Sequence, residues 1–346
     1  MSGRKTPSLL LPIGKRRFIA GGAALAGALA APAILRASGR RSWDRPIIAA
    51  LNAREGDPTD ISIRRIPEIL AEQYDIDITI EIYPSSQLAA DIGQLEGVQN
   101  GLWDIASNAT AAFFGFTRAF HFMDLPFLYP TWDVALEAVQ SPLMAQQIAV
   151  AEEEMPLKIL PFVGAGGYRL LSNRVREVRR PSDLAGTRIR SSFGGSIVDQ
   201  NTLSAWGAVP IPLGWSESYT GAQQGIIEGM FVQPIWTYIA RFHEVLGHAT
   251  YVPSNWVAQL QVMHAGTWAE MPDDIKGPFM EAAQIAADEG NALDRSLEDG
   301  FIEQLDANGM AVYRPTADEM GEWRELAMAT WDASEVDPAI IAQIRG

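Results

Sequence analysis

Between Asp273 and Gly309 apolar residues recur at intervals of three, four and seven: Ile275, Phe279, Ala283, Ala286, Leu293, Leu297, Phe301 and Leu305. That is the period of one buried helical face. A helix of about 35 residues is about 50 Å long. One small domain does not need such a length, so the pattern predicts a brace laid across two lobes.

Upstream, strand and helix patterns alternate. "PIIAALNA" (46–53) reads as a buried strand, and "DISIRRIPEILAEQY" (60–74) returns to helical spacing. "DIDITIEIY" (75–83) places Ile76, Ile78, Ile80 and Ile82 with a period of two, the mark of a strand. A helix over 87–101 and a strand from "WDIASNA" follow. A second alternating unit starts at "PLKILPFV" (156–163), and the glycine break "GAGG" after it reads as a crossing between lobes. Next come strands in "YRLLSNR", "TRIRSS", "AVPIPL", "IIEGMFV" and "VAQLQVMH". Such alternation predicts an α/β fold on largely parallel sheets.

The N-terminus reads differently. Residues 1–17 carry Arg4, Lys5, Lys15, Arg16 and Arg17 and no acid, ahead of the uncharged run "FIAGGAALAGALAAPAIL". That run has 18 residues, is mostly Ala and Gly, and contains Pro32. A membrane span needs about 20 strongly apolar residues. With "ALA" at 28–30 or "LRA" at 35–37 as cleavage sites, residues 1–37 are expected to be an export signal. "KRRFI" points to the twin-arginine type. Loss of its six basic residues takes the net charge from −15 to −21. Nucleic acid is excluded as a partner, since no basic stripe neutralises phosphate. Any anion must be held by local positive groups against the overall field.

Chemistry is narrowed by exclusion. The chain has no cysteine, which rules out disulfides and thiolate catalysis. His121, His243, His248 and His264 form no metal-binding spacing. No GxSxG elbow, Walker loop or GxGxxG after a strand is present. No metal, no cofactor and no catalytic pair is expected. What remains is arginine at strand ends: Arg169 in "GAGGYRLLSNR", and Arg188 or Arg190 in "GTRIRSS". Ligands of open α/β sheets sit beyond the carboxyl ends of strands, where a guanidinium matches a carboxylate in two parallel hydrogen bonds. Spacing alone does not separate Arg188 from Arg190, because i and i+2 of a strand share a face.

From about residue 46 onward the chain resembles the extracytoplasmic solute-binding proteins of TRAP transporters, the DctP-type family. The resemblance rests on "IYPSSQLAADIGQLEGVQNGLWDIA", "FMDLPFLY", "YRLLSNR", "PSDLAGTRIRSS", "GAVPIPLGWSESYTGAQQGIIEGM" and the Trp268–Ile275 segment. It implies a two-lobed periplasmic-binding-protein fold with a hinge and a long helix spanning both lobes. It also implies that Arg190 pairs with a substrate carboxylate, that Arg169 assists, and that Arg188 faces solvent. Trp215 falls at an aromatic platform, and Asn52 and Asn108 fall near the cleft. Gln233 is a further candidate, although "EGMFVQP" departs from the family pattern by one residue. The implied lobes are 38–166 with 256–296, and 167–255 with 297–346.

The expected function comes from the resemblance. It is a periplasmic, monomeric, non-catalytic receptor that captures a small organic acid and delivers it to integral membrane TRAP subunits. A receptor for an ABC importer or sensor, and an enzyme acting on a carboxylate, are the alternatives. Tryptophan and phenylalanine near the cleft (Trp215, Trp236, Phe231) suit a ligand with an apolar or ring portion beside its carboxylate.

Overall fold

The computed structural model describes residues 41–90, 92–192 and 197–345; the expected export signal lies outside them. In the first sheet β1 (Arg41–Leu51) is flanked in parallel by β2 (Ile76–Tyr83) and β3 (Ile105–Ala109). Next to β3, β11 (Trp256–His264) runs antiparallel and also pairs with β4 (Leu157–Ile159) and β5 (Val163–Tyr168). The second sheet has the order β12 (Ala311–Tyr313), β10 (His248–Thr250), β6 (Leu170–Asn173), β9 (Gly229–Val232), β7 (Arg188–Ser192), β8 (Val209–Leu213).

Strand direction follows the expected, largely parallel arrangement, with one reversed strand in each sheet: β11 in the first and β6 in the second. Each reversed strand adjoins a chain crossing, and it is what makes the sheet mixed. β5 belongs to the first sheet and β6 to the second, so the chain changes sheet at Arg169. It returns between β10 and β11, and the two crossings touch where Arg169 N donates to Asn255 O at 3.0 Å. "PLKILPFV" accordingly closes the first sheet and does not open the second.

Helices cover the sheets. α1 (Pro58–Tyr74), α2 (Ile92–Gln99), α3 (Trp132–Val139) and α4 (Pro142–Glu154) come first. α2 is shorter than expected: Ser85 and Ser86 take positive φ, and turns occupy the stretch ahead of it. α5 (Ile197–Ala205), α6 (Trp215–Gln224) and α7 (Pro234–Ile239) belong to the second half. After α8 (Ala265–Glu270) comes α9, the expected long helix, spanning Asp273–Ala307. It packs on α1 and β5 at one end and on α7 and β12 at the other, bracing both sheets. α10 (Ala317–Met328) and α11 (Pro338–Arg345) end the chain. Among the described residues no helix is long and apolar enough to cross a membrane.

α9 is bolted to the crossing strand by side chains. Asn291, Asp294 and Glu298 lie on one helical face and accept the amides of Gly164, Gly166 and Tyr168 at 2.6, 3.0 and 3.0 Å. Alternate amides of a strand point to the same edge, so three helix side chains complete a ladder that no neighbouring strand supplies. Glycine permits the approach. At Gly167 (φ +84) an added Cβ would meet the Glu298 carboxyl at 2.8 Å.

Burial of acids has a consequence for pH. Burial pushes Asp57, the N-cap of α1, up to about 7, and pushes Asp294 well above its ordinary range. Asp124 is likewise raised to about 7 by burial. Burial also lowers His121 to about 4, with Arg118 adding to the effect. The acids keep protons in the fold that the unfolded chain releases, so they stabilise at low pH and lose that contribution as pH rises through about 7. His121 acts oppositely between about 4 and 6.5, one group against three. Melting temperature is expected to fall from pH 5.5 to pH 8, and Asp57→Asn, which keeps the cap, should flatten the fall. A melting temperature that rises over this interval contradicts the assignment.

Candidate functional site

The parallel strands of both sheets aim their carboxyl ends at one cleft. A cavity of ≈ 80 Å³ lies there, and its lining includes Asn52, Asn108, Arg169, Arg190, Trp215 and Gln233. All six sequence candidates thus converge, although they are drawn from both sheets and from the crossing. Beyond Asn52 and Trp215 the cleft widens into an outer compartment of ≈ 440 Å³.

On β7 the alternation places Arg188, Arg190 and Ser192 on one face, with Ile189 and Ser191 buried on the other. The two arginines differ in their position along the strand. Arg188 is at the start of β7, beside the loop ahead of β9. It donates to Ile226 O at 3.1 Å and Gly225 O at 2.9 Å, and pairs with Glu228 at 3.2 Å. Its side chain is 43% exposed, as expected of the solvent-facing position, and it also staples that loop. Arg190 lies two residues nearer the cleft, between β8 and β9. Its Nε donates to Leu213 O at 2.9 Å, and its guanidinium lies 5.9 Å from the Trp215 ring centroid. Trp215 opens α6 and meets Trp236 edge-on at 5.6 Å. Trp236 in turn donates to Ala165 O at 2.7 Å, fastening α7 to the crossing strand.

Arg169 is 4% exposed at the crossing. It forms an ion pair with Asp199 of α5, and its Nη2 lies 3.9 Å from Asp124 Oδ1. Its guanidinium is 5.4 Å from the Phe231 ring centroid. Asp124 is fully buried at the end of the short 3-10 turn His121–Asp124. Its Oδ2 accepts from Thr110 Oγ1 at 3.2 Å, and Asp199 Oδ2 accepts from Ser192 Oγ at 3.3 Å. Two acidic side chains therefore flank a single guanidinium, Asp199 as its close ion-pair partner and Asp124 farther off.

The first-sheet wall is amide-rich. Asn108 on β3 donates Nδ2 to Gln94 Oε1 at 3.0 Å. Asn52 follows β1, and its Oδ1 is buried without a hydrogen-bond partner. Gln259 on β11, opposite Ala109, also lines the cavity and has its Oε1 in the same condition. Gln233 is the buried N-cap of α7. Sequence reasoning missed Gln259, Ser192, Asp124 and Asp199. Two glutamines, Gln259 and Gln261, in the largely apolar run "WVAQLQVMH" were the available signal for the first. The aspartates are 45 and 30 residues from Arg169, and no local pattern joins them to it. Among the described residues no group of three or more acidic or histidine side chains is arranged to hold a metal ion.

Residues 50–336 match the family described as bacterial extracellular solute-binding protein, family 7. The C4-dicarboxylate-binding periplasmic protein of Rhodobacter capsulatus is 25% identical over 283 residues, covering 80% of this chain and 84% of that one. The fold is similar to that of a TRAP periplasmic solute-binding protein from Sulfurospirillum deleyianum with bound succinate. Its TM-score is 0.81 at 18% identity, covering 87% of this chain and 98% of that one. A Polaromonas protein of the same description, bound to D-erythronate, gives 0.81 at 19% identity, covering 87% and 98%. With its cleft built at the strand ends and its match spanning residues 50–336, this chain belongs to the family 7 bacterial extracellular solute-binding proteins.

Proposed function

We propose that this protein is a periplasmic, non-catalytic receptor that captures a small organic carboxylate between its lobes and delivers it to the membrane subunits of a TRAP transporter. The observation that carries the reading is Arg190. It is a guanidinium at the cleft end of a central strand, backed by an indole and set in a cavity between two sheets. In this reading Arg190 forms the ion pair with the ligand, Arg169 and Gln233 add hydrogen-bond donors, and Asn52, Asn108 and Trp215 shape the remaining walls. Gln259 joins them through an amide oxygen. The lobes are taken as 38–166 with 256–296, and 167–255 with 297–346. They close on the hinge at the two crossings, excluding water and strengthening the pairing. Residues 1–37 direct export, and the receptor acts as a monomer.

A thermal-shift screen of organic acids, from two-carbon to aromatic and sugar acids, tests the reading. A ligand at 100 times its Kd adds about 2.7 kcal/mol of stability, which is read as a rise of several degrees in melting temperature. Hits confined to carboxylates are expected, with each bound acid recovered unchanged after prolonged incubation. No carboxylate hit, or conversion of the acid, overturns it.

A further inference from the structure

The walls of the inner cavity differ in chemistry. Its guanidiniums, Arg169 and Arg190, come from the crossing and from the second sheet, whereas the first-sheet wall carries three primary amides, Asn52, Asn108 and Gln259. A primary amide can donate or accept, and at Asn108 a chain of hydrogen bonds fixes which end is left. Gln94, fully buried on α2, donates Nε2 to Ala89 O at 2.9 Å. A carbonyl only accepts, so Gln94 turns its Oε1 to Asn108, and Asn108 Nδ2 donates to it at 3.0 Å. The end of Asn108 left for a ligand is Oδ1. Gln259 is 3% exposed and buries Oε1 without a hydrogen-bond partner, as Asn52 does Oδ1. Three amide oxygens with acceptor capacity therefore belong to one wall of one cavity.

We propose that this wall reads a hydroxyl. The receptor takes hydroxy acids, with the carboxylate toward the arginines and one or more O–H groups donated to the amide oxygens of Gln259, Asn108 and Asn52, and it discriminates against the deoxy acids. This rests on the carboxylate-receptor reading above and adds a substrate class to it. The physical argument is one of hydrogen-bond balance in a closed cleft. Water satisfies such oxygens while a cleft is open. A ligand that displaces the water and sets apolar carbon against the wall leaves buried acceptors unmatched. A hydroxyl restores the bond, and an ether oxygen, which cannot donate, does not. An ammonium also donates, but among the described residues no Asp or Glu lines this cavity, whereas two arginines do. A cation would be desolvated there without a counter-ion in the wall, which favours the neutral donor. A site built to bind a hydroxyl also rejects the analogue lacking it more strongly than an apolar pocket rejects an added one.

The test titrates the exported protein by calorimetry with acids that differ in their hydroxyls. Propanoate, butanoate and pentanoate are each compared with their 2-hydroxy and 3-hydroxy derivatives, and hexanoate with gluconate. 2-Methoxypropanoate and alanine replace the hydroxyl of lactate by an ether and by an ammonium. In the wild type the better hydroxy acid of each set is expected to bind at least about tenfold more tightly than its deoxy parent, equivalent to about 1.4 kcal/mol. The ether and the amine should bind no better than propanoate. Gln259→Met, which keeps the length of the side chain and removes the amide, should weaken the hydroxy acid at least about fivefold more than its deoxy parent. Asn108→Leu should act in the same direction and serves if Gln259→Met does not fold.

Deoxy acids bound within about threefold of their hydroxy partners overturn the inference, as does an ether or amine bound as tightly as lactate. A parallel loss for both members of a pair marks a purely structural role for the amides and also overturns it. So does a wider screen whose hits all lack a hydroxyl. Each of these results leaves the carboxylate-receptor reading standing. Failure of every carboxylate in the wider screen overturns that reading and this inference together.

Discussion

Arg190→Ala is expected to weaken binding of the acid that the screen identifies by at least about 30-fold, and by up to several thousandfold. Removing one member of a buried, hydrogen-bonded charge pair costs on the order of 2–5 kcal/mol, and each 1.4 kcal/mol is a factor of ten. Much of that cost is the ligand carboxylate left in a closed cleft without its cation. Arg190→Lys should recover only part of the loss. An ammonium is a point charge that cannot reproduce the fork matching two carboxylate oxygens, and it stacks less well on Trp215. The fold should tolerate both changes, because the backbone pairing of β7 with β8 and β9 does not use the side chain. Calorimetry placing Arg190→Ala within threefold of the wild type would remove Arg190 from the binding role. The same substitution at Arg188 is the control. Its contacts hold the Gly225–Glu228 loop, so its loss should lower stability modestly and affinity little.

The second large effect concerns the hinge. Glu298 accepts from three groups: Trp132 Nε1 at 2.7 Å, the Tyr168 amide at 3.0 Å and Tyr251 OH at 2.9 Å. Tyr168 is on the outgoing crossing and Tyr251 begins the return, so one carboxylate of α9 ties both to the long helix. Burial raises the Glu298 pKa, while the three donors pull it back. Glu298→Ala leaves three largely buried donors without an acceptor. Each unsatisfied group costs about 1–3 kcal/mol, so a loss of about 3–6 kcal/mol is expected in urea unfolding. Glu298→Gln retains an oxygen for the Tyr168 amide and Tyr251. Its NH₂ faces the indole N–H, so about half the loss is expected. Equal stability of all three proteins would show that the ladder contributes nothing to the fold.

The hinge also explains why glycines cluster at 164, 166 and 167. A strand that receives its outer hydrogen bonds from helix side chains must approach that helix closely. At Gly164 an added Cβ would lie 2.9 Å from Asp294, and at Gly166 (φ +93) it would lie 2.1 Å from Ile235. "GAGG" was readable as a break between strands, and the change of sheet does fall directly after it, at Arg169. Its actual conformation is a buried strand whose edge partner is a helix. That could not be read locally, because the partners Asn291, Asp294 and Glu298 are more than 120 residues away.

The sequence by itself determined the parts of this protein that depend on short-range periodicity. A three-to-four spacing carried from Ile275 to Leu305 made α9, because one continuous apolar stripe can be buried only on a helix. The period-two isoleucines made β2, and the alternation of the two patterns settled an α/β fold. Strand-end position nominated Arg169 and the Arg188/Arg190 pair, and the family resemblance carried by local motifs added Trp215, Gln233, Asn52 and Asn108 and chose Arg190; all six chosen residues line one cavity.

Only the tertiary structure decided strand direction, and with it the mixed sheets. β6 and β11 run against the other strands of their sheets, and strand direction is set by which edge a segment meets, a contact with no signature in its own residues. The same holds for charge. Arg188 and Arg190 are indistinguishable on one strand face until the Gly225–Glu228 loop takes up the first. Arg169 reads as an isolated strand-end cation until Asp124 and Asp199 come up beside it. Electrostatic balance depends on distance through space, and residues 30 and 45 positions apart acquire such a distance only when the chain has folded.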